Sequence, residues 1–228
     1  MQSLYLLLNL GSLSIPLIFS FHPRLKFYQY WKSLSMGLLV SFLIFIPWDI
    51  IFTVNGIWGF NANYFLNIKL FHLPLEEWLF FICIPYACVF THYALLEYFP
   101  GKTLSIKATK VVSYSLILFF LIIAVYNLDK WYTLINFILA SIIIGIVLLK
   151  TPELLRSYYL TFLIMLIPFF IVNGILTGSF ITNEVVWYNN SENLDIRLFT
   201  IPIEDVIYAF SLILVNLFII RLHRTYAI

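Results

Sequence analysis

Apolar segments dominate the chain, and short polar segments separate them at regular intervals. A helix that crosses the hydrocarbon core of a membrane needs about 20 mostly apolar residues, at about 1.5 Å each. Seven segments meet this requirement: 3–20, 33–54, 75–96, 111–127, 131–149, 158–180 and 203–222. The pattern therefore predicts an all-α integral membrane protein with seven transmembrane helices.

The composition agrees with a membrane protein. Of the 228 residues, 62% are hydrophobic and 11% are charged, and this charged share is roughly half that of an ordinary soluble protein. A soluble domain of this length must leave part of its surface in water and could not hide so much apolar material. The composition therefore excludes functions that need a soluble chain.

The distribution of Lys and Arg predicts the orientation in the cell membrane. With seven spans, one side holds ten basic residues: Arg24, Lys26, Lys32, Lys102, Lys107, Lys110, Lys150, Arg156, Arg221 and Arg224. The other side holds only Lys69, Lys130 and Arg197. Because basic loops stay in the cytoplasm, we expect an outside N-terminus and a cytoplasmic C-terminus. The net charge of +2 then reflects topology and does not indicate a nucleic-acid partner.

The chain contains an internal repeat with an offset of 128 residues. Segment 67–77 matches segment 195–205 without gaps, and five of the eleven positions are identical. Upstream, Trp58 matches Trp187 when one residue is skipped. The same offset carries the first three spans onto the last three, which run in the same direction. This arrangement predicts two parallel repeats related by a pseudo-twofold axis along the membrane normal.

The repeat predicts three parts in the chain. A first three-helix repeat covers residues 1–110, a linker transmembrane helix covers 111–130, and a second three-helix repeat covers 131–228. At the outer ends of the spans, an aromatic belt is an adequate explanation for Trp58, Tyr64, Trp187 and Tyr188.

Acidic residues recur at the predicted start of two equivalent spans. The two copies read Pro74-Leu-Glu-Glu77 and Pro202-Ile-Glu-Asp205, and proline suits the first turn of a helix. If the spans surround a common space, five carboxyl groups meet near the outer leaflet: Glu76, Glu77, Glu204, Asp205 and, from the second span, Asp49. These five residues are the candidate catalytic groups.

A structural explanation of the acidic pairs competes with a functional one. Acidic residues in a first turn often only balance the helix dipole, which contributes about 0.3–1 kcal/mol. An acid inside a membrane, however, costs several kcal/mol and is usually functional. The duplication and the aromatic surroundings favour function, with these candidate substrate contacts: Trp48, Trp78, Phe80, Phe81, Tyr208 and Asn173. For Asn173, an interhelical hydrogen bond is the alternative to a substrate contact.

Clustered carboxyl groups suggest a particular chemistry. Because like charges repel in a poorly solvated site, at least one group should keep its proton at neutral pH. Unequal carboxyl groups supply an acid and a base together, and aromatic faces stabilise a cation by up to about 2 kcal/mol each. This combination suits proton-initiated carbocation chemistry on an apolar substrate from the lipid.

Three motifs resemble the membrane lycopene cyclase family, in its fused two-subunit form. They are Leu73-Pro-Leu-Glu-Glu-Trp-Leu-Phe-Phe81, Ile201-Pro-Ile-Glu-Asp205 and the pair Trp48-Asp49. The resemblance implies redox-neutral cyclisation of the linear ψ ends of lycopene to β-ionone rings, through γ-carotene to β-carotene. It also implies lycopene from membrane lipid as the substrate, and other carotenoid-pathway enzymes as possible partners.

The resemblance also implies roles for the acidic residues. Glu76, Glu77, Glu204 and Asp205 match the acidic motif of the family, and Asp49 matches its second-span acid. One carboxyl would protonate C2 of the end group, the double bonds would close onto the cation, and another carboxylate would remove a proton from C6. Which residue is the acid stays open. Without gaps, the offset of 128 residues pairs Asp49 with Thr177, so the two repeats are not equivalent. We therefore expect one composite site, used once for each end of the carotenoid, in preference to two complete sites.

The sequence predicts no cofactor and leaves two other functions open. No strand is predicted, no Gly-x-Gly-x-x-Gly follows one, and no residues have metal-ligand spacing. One alternative is a small-solute transporter, since parallel repeats joined by a linker helix also occur there. The other is a different carotenoid end-group enzyme, such as a hydratase or a C50 cyclase. The apolar span centres disfavour the transporter.

Overall fold

The computed structural model describes residues 2–226, and seven long helices lie within them. They are α1 (Leu4–Phe19), α2 (Trp31–Val54), α3 (Leu75–Tyr98), α4 (Ile106–Tyr126), α5 (Trp131–Lys150), α6 (Pro152–Leu176) and α7 (Ile203–Tyr226). Six of them are long and apolar enough to cross a membrane. The first, α1, has 16 residues and spans about 24 Å. The protein is thus an all-α, multi-pass membrane protein, as the sequence predicts.

Two helices begin well before their predicted starts because of local capping. Helix α4 begins at Ile106, before the predicted residue 111, since the Ser105 hydroxyl accepts a hydrogen bond from the amide of Ala108 at 3.1 Å. This is a standard N-cap. Helix α6 begins at Pro152, before the predicted residue 158, since proline is well suited to a first turn. It ends at Leu176, before the predicted residue 180.

Short strands lie between the helices, contrary to the expectation that the chain has none. They are β1 (Trp58–Phe60), β2 (Lys69–Leu70), β3 (Leu73–Pro74), β4 (Val186–Tyr188), β5 (Arg197–Leu198) and β6 (Ile201–Pro202). Strands β2 and β3 form a hairpin just before α3, and β5 and β6 form the equivalent hairpin before α7. We call the end of the bundle that carries these strands the hairpin end.

The antiparallel pair of β1 and β4 joins the two repeats. Gly59 lies opposite Trp187 in this pair, and a Cβ atom at Gly59 would come within 2.3 Å of the Trp187 ring. Glycine is therefore needed where the two strands meet. Trp58 lies opposite Tyr188 in this register, so the two tryptophans that the sequence matched lie on opposite faces of the pair. Skipping one residue aligned two tryptophans that lie at different places in the pair.

The helices pack in equivalent pairs around this junction. Helix α1 packs against α3 as α5 packs against α7, and α2 packs against α7 as α6 packs against α3. Helix α4 lies mainly against α5. Between α2 and α7, Asn216 of α7 donates a hydrogen bond to the Ser41 hydroxyl of α2 at 2.7 Å. Helices α3 and α7 bring four of the predicted acidic residues to the hairpin end, and α2 brings Asp49.

Candidate active site

A small buried cavity lies at the hairpin end, where the helix starts of the two repeats meet. Its volume is about 80 Å³, and three carboxyl groups line it: Asp49 of α2, Glu77 of α3 and Asp205 of α7. The three side chains belong to residues that are 2%, 8% and 5% exposed, respectively. Buried acids need hydrogen-bond partners, and each of these three has at least one.

Asp205 accepts three hydrogen bonds. The Tyr132 hydroxyl donates to Oδ1 at 2.6 Å, whereas the Asn173 amide and the Tyr188 hydroxyl donate to Oδ2 at 2.8 and 2.9 Å. Tyr188 lies in β4, outside the helices, and burial raises its pKa well above the ordinary value, with the neighbouring Asp205 adding to the effect. It is therefore a neutral donor. Three donors stabilise a negative charge on this carboxyl.

Glu77 has the same kind of partner in the first repeat. The hydroxyl of Tyr5, in α1, donates to its Oε2. Tyr5 and Tyr132 occupy equivalent places in α1 and α5, just as Glu77 and Asp205 do in α3 and α7. The repeat therefore duplicates a tyrosine–carboxyl pair and brings both copies to one cavity.

Asp49 comes from the second helix of the first repeat. The indole nitrogen of Trp58 donates to Asp49 Oδ1 at 2.7 Å. Within residues 2–226, the buried Oδ2 atom has no hydrogen-bond partner of ordinary geometry, although the Thr53 hydroxyl, one turn further along α2, lies near this carboxyl. Thr177, which the ungapped register placed opposite Asp49, lies beyond the end of α6, where its hydroxyl is 2.8 Å from that of Thr200. Thr177 is thus not the counterpart of Asp49, which lies inside α2.

Glu76 and Glu204 do not line the cavity, although the sequence suggested that all five acids would meet there. Glu76 Oε1 accepts the amide of Leu66, and Glu204 Oε1 accepts the amide of Leu194, both at 2.8 Å. Glu204 Oε1 also accepts the Thr133 hydroxyl at 2.7 Å. These two acids therefore hold the loop in front of each hairpin.

Three of the six predicted substrate contacts line the cavity. They are Phe80, Tyr208 and Asn173. The predicted interhelical hydrogen bond of Asn173 is also present, to Asp205. Phe80 and Tyr208 stand one turn after Glu76 and Glu204, but the rings line the cavity whereas the two acids bind loop amides outside it.

The other three predicted contacts do not line the cavity. Trp48 packs against the Tyr208 ring, with centroids 5.1 Å apart. Phe81 is fully buried among aromatic side chains. Trp78 donates its indole N–H to the carbonyl of Leu70 in the hairpin at 3.2 Å. Trp48 therefore supports the cavity wall, and none of the three residues lies where a ligand in the cavity would touch it.

Sequence reasoning missed the donors to the carboxyl groups. Trp58 and Tyr188 bind carboxylates, so an interfacial aromatic belt does not explain them. A signal for the two other tyrosines was present: Tyr5-x-x-x-Asn9 recurs as Tyr132-x-x-x-Asn136. The two asparagines donate to the carbonyls at the helix starts that carry the acids, at 2.8 and 2.6 Å.

The cavity continues into a larger groove of about 420 Å³ between α1, α3, α6 and α7. Phe80, Ile84, Phe169 and Ala209 line both spaces. Among residues 2–226, no group of three or more His, Cys, Asp or Glu side chains could hold a metal ion. The arrangement brings acids, neutral donors and aromatic faces to the end of an apolar passage, which suits proton transfer to an apolar molecule.

Comparison with known proteins gave one match. The family model described as lycopene cyclase matches residues 2–95 and again residues 129–222. The two matching segments confirm the internal repeat, whereas the division into 1–110, 111–130 and 131–228 stays a prediction. Comparison with curated proteins and with solved structures gave no match.

Proposed function

Because the chain belongs to the lycopene cyclase family, we propose that it converts the linear ψ ends of lycopene into β-ionone rings, through γ-carotene to β-carotene. The observation that carries this proposal is the set of three buried carboxyl groups at the end of an apolar groove. A carboxylic acid at such a place meets an alkene without competing water. Each ring closure adds one proton and releases another, so substrate and product are isomers.

Asp49 is the proposed acid. Its Oδ1 accepts one hydrogen bond from Trp58, while Oδ2 is buried and has no partner among residues 2–226. A protonated carboxyl would carry its hydrogen on this second oxygen, which is then available to the substrate. Proton transfer to C2 of the end group leaves a cation at C1. The electrons of the C5–C6 double bond then form the C1–C6 bond, and the cation moves to C5.

Asp205 is the proposed base. Its three donors, Tyr132, Asn173 and Tyr188, favour the charged form of the carboxylate. It would remove the proton from C6, and the electrons of that C–H bond would restore a double bond between C5 and C6. General acid–base catalysis of this kind contributes about 10²–10⁴-fold to a rate.

Glu77 and the aromatic walls would stabilise the cation between these two steps. Tyr5 fixes the Glu77 carboxyl in the cavity wall, and Trp58, Phe80 and Tyr208 present rings to the same space. An aromatic face contributes up to about 2 kcal/mol to the binding of a desolvated cation. Glu76 and Glu204 would position the hairpins, since both bind backbone amides outside the cavity.

We place the hairpin end on the outer face of the membrane. The loops at the opposite end of the bundle carry most of the Lys and Arg residues, and such loops stay in the cytoplasm. An apolar groove that leads to the acids fits a lipid-soluble substrate better than a small solute, because a transporter needs a polar path across the membrane.

Expression in a bacterium that accumulates lycopene tests the proposal. We expect β-carotene together with some γ-carotene, both measured by chromatographic separation of the pigments. Asp49→Asn should leave lycopene unconverted, whereas Asp129→Asn is a matched control because Asp129 is exposed in the loop before α5. Unconverted lycopene with the wild-type protein present in the membrane would overturn the proposal.

A further inference from the structure

The groove that continues from the acid cavity is a passage along the helices. On α1 it runs from Leu7 to Pro16, and on α3 from Phe80 to Thr91. At about 1.5 Å per residue, these segments span about 14 and 16 Å along the helix axes. A volume of about 420 Å³ is within the range of small-molecule binding sites, about 300–1,000 Å³. The groove is therefore large enough to hold an extended ligand.

The walls of the groove are suited to an apolar ligand. Two hydroxyl groups that line it, those of Ser12 and Thr91, donate to carbonyls of their own helices at 2.7 and 2.8 Å. They therefore do not need a polar partner in the groove. Asn173, at the boundary with the cavity, is already bound to Asp205. The polar groups of the passage are thus concentrated at its acidic end.

The groove reaches the surface of the bundle beside α1. Leu7 and Ile15, which line it, are 60% and 64% exposed. Helix α1 packs mainly against α3. The side of α1 that carries Leu7, Gly11 and Ile15 borders the groove. In a membrane this side faces the lipid, and an apolar molecule dissolved there can enter from the side.

Aromatic rings pack at the hairpin end on the side of α2 and α5. They belong to Trp48, Phe52, Trp58 and Tyr132, with ring centroids 4.9 to 6.4 Å apart, and Trp58 and Tyr132 also line the acid cavity. The groove, in contrast, is lined by α1, α3, α6 and α7. It therefore leads to the acids from the side of α1 and α6.

We propose that this groove binds the long conjugated tail of the substrate while one end group lies in the acid cavity, and that Gly11 keeps the groove open. This inference rests on the proposed function. The groove continues into the acid cavity, so the molecule that it holds is the substrate of the acids, a carotenoid. The acid cavity, entered through this groove, admits one end group at a time. The carotenoid must therefore leave and re-enter with its other end before a second ring can form.

Gly11 offers a direct way to test the groove. It lines the groove on α1, and a Cβ atom built there meets no other atom within 4 Å. A larger side chain at this position begins in open space, so it can fill the groove without displacing the helices. Gly145 of α5 also has no atom within 4 Å of a built Cβ, but it does not line the groove. It is a matched control.

The experiment compares Gly11→Ala, Gly11→Phe and Gly145→Phe with the wild type in cells that accumulate lycopene. The amount of each protein in the membrane is measured alongside the pigments. We expect Gly11→Phe to lower lycopene conversion per molecule of protein by about tenfold or more, since apolar pockets discriminate on this scale. Gly11→Ala and Gly145→Phe should stay within about twofold of the wild type, because neither fills the groove.

Two further measurements separate a blocked groove from a damaged acid site. A short isoprenoid with the same end group but no long tail should be cyclised equally well by Gly11→Phe and by the wild type. In the inactive Asp49→Asn background, lycopene should be retained on purification when residue 11 is glycine and lost with Gly11→Phe.

The outcomes distinguish the two proposals. Normal conversion and normal retention of lycopene by Gly11→Phe would show that the groove holds only a lipid chain and would overturn this inference, while the proposed function stands. Loss of activity by Gly145→Phe to the same degree as by Gly11→Phe would also overturn it. No conversion by the wild type would overturn the proposed function itself and this inference with it.

Discussion

Two adjacent acids on α7 offer a sharp test of the proposed mechanism. Asp205 lines the cavity, whereas Glu204 binds backbone and a hydroxyl group outside it. Asp205→Asn and Glu204→Gln both replace a carboxylate by the corresponding amide, one residue apart. If the mechanism is right, the first change removes a base and the second only weakens a structural contact.

The structure sets the size of each effect. Loss of a general base lowers a rate by about 10²–10⁴-fold, which corresponds to roughly 3–5 kcal/mol of transition-state stabilisation. In Asp205→Asn, the new amide also presents hydrogens to Asn173 or Tyr188, which are themselves donors. One lost hydrogen bond in a buried site destabilises by about 1–3 kcal/mol, so this variant should also be somewhat less stable.

Glu204→Gln should behave differently. The amide oxygen can still accept from Leu194 and Thr133, while the amide nitrogen replaces Oε2, which has no partner among the described residues. Hydrogen bonds to a charged group contribute about 1.5–3 kcal/mol and those to a neutral group about 0.5–1.5 kcal/mol. We therefore expect a loss of about 1–3 kcal/mol in stability and a rate per folded molecule within a few-fold of the wild type.

The assay measures both quantities on the same preparations. Purified variants are incorporated into liposomes with lycopene, initial rates of ring formation are divided by the amount of folded protein, and thermal unfolding gives the stability. A 100-fold rate loss in folded Glu204→Gln, or near-normal turnover by Asp205→Asn, would refute the division between a catalytic and a structural acid.

Further predictions concern the junction of the two repeats. Trp58→Phe keeps an aromatic ring but removes the donor to Asp49. Leaving a buried acceptor without its partner costs about 1–3 kcal/mol, so cyclisation per molecule of protein should fall about tenfold or more. Unchanged pigment production would contradict this role. Gly59→Ala places a Cβ 2.3 Å from Trp187, so thermal unfolding should show a loss of about 1–3 kcal/mol. Gly145→Ala, with open space around it, should show no comparable loss.

The fold was largely predictable because two features of the sequence indicate it directly. Long apolar segments indicate the helices, and the motif at 67–77 recurs at 195–205. In the structure, both motifs form the same hairpin followed by a helix start, with left-handed backbone at Asn67 and Asp195 in each copy. A repeated local sequence gives a repeated local conformation, so this part of the prediction needed no tertiary information.

The roles of the paired acids were not predictable in the same way. Successive residues point about 100° apart around a helix, so the sequence shows that both acids of a pair lie in one turn but not which one faces the cavity. The rotation of α3 and α7 decides this, and it is fixed by α1 and α5 through Asn9 and Asn136. Those asparagines lie in spans whose other residues are almost all apolar.

Loop length explains the mistaken counterpart of Asp49. Three residues (55–57) separate α2 from β1, whereas nine (177–185) separate α6 from β4. An ungapped comparison cannot follow this difference, so it placed Thr177 opposite a residue that lies well inside a helix. The conclusion that the halves differ nevertheless holds, since Asn173 is the polar residue that α6 brings to the cavity.

The residues that the two repeats share and the residues in which they differ have different roles in the proposed reaction. Duplication alone would bring two equivalent carboxyls, Glu77 and Asp205, to one cavity with one tyrosine each. Ring closure, however, needs groups that differ, because one must give a proton and another must take one. The difference comes from what the repeats do not share: Asp49 in the first, and the additional donors to Asp205 in the second. Since the groove that continues from the cavity lies beside α1 and α6, the divergence of the two copies would determine both the direction of proton transfer and the side from which each end group enters.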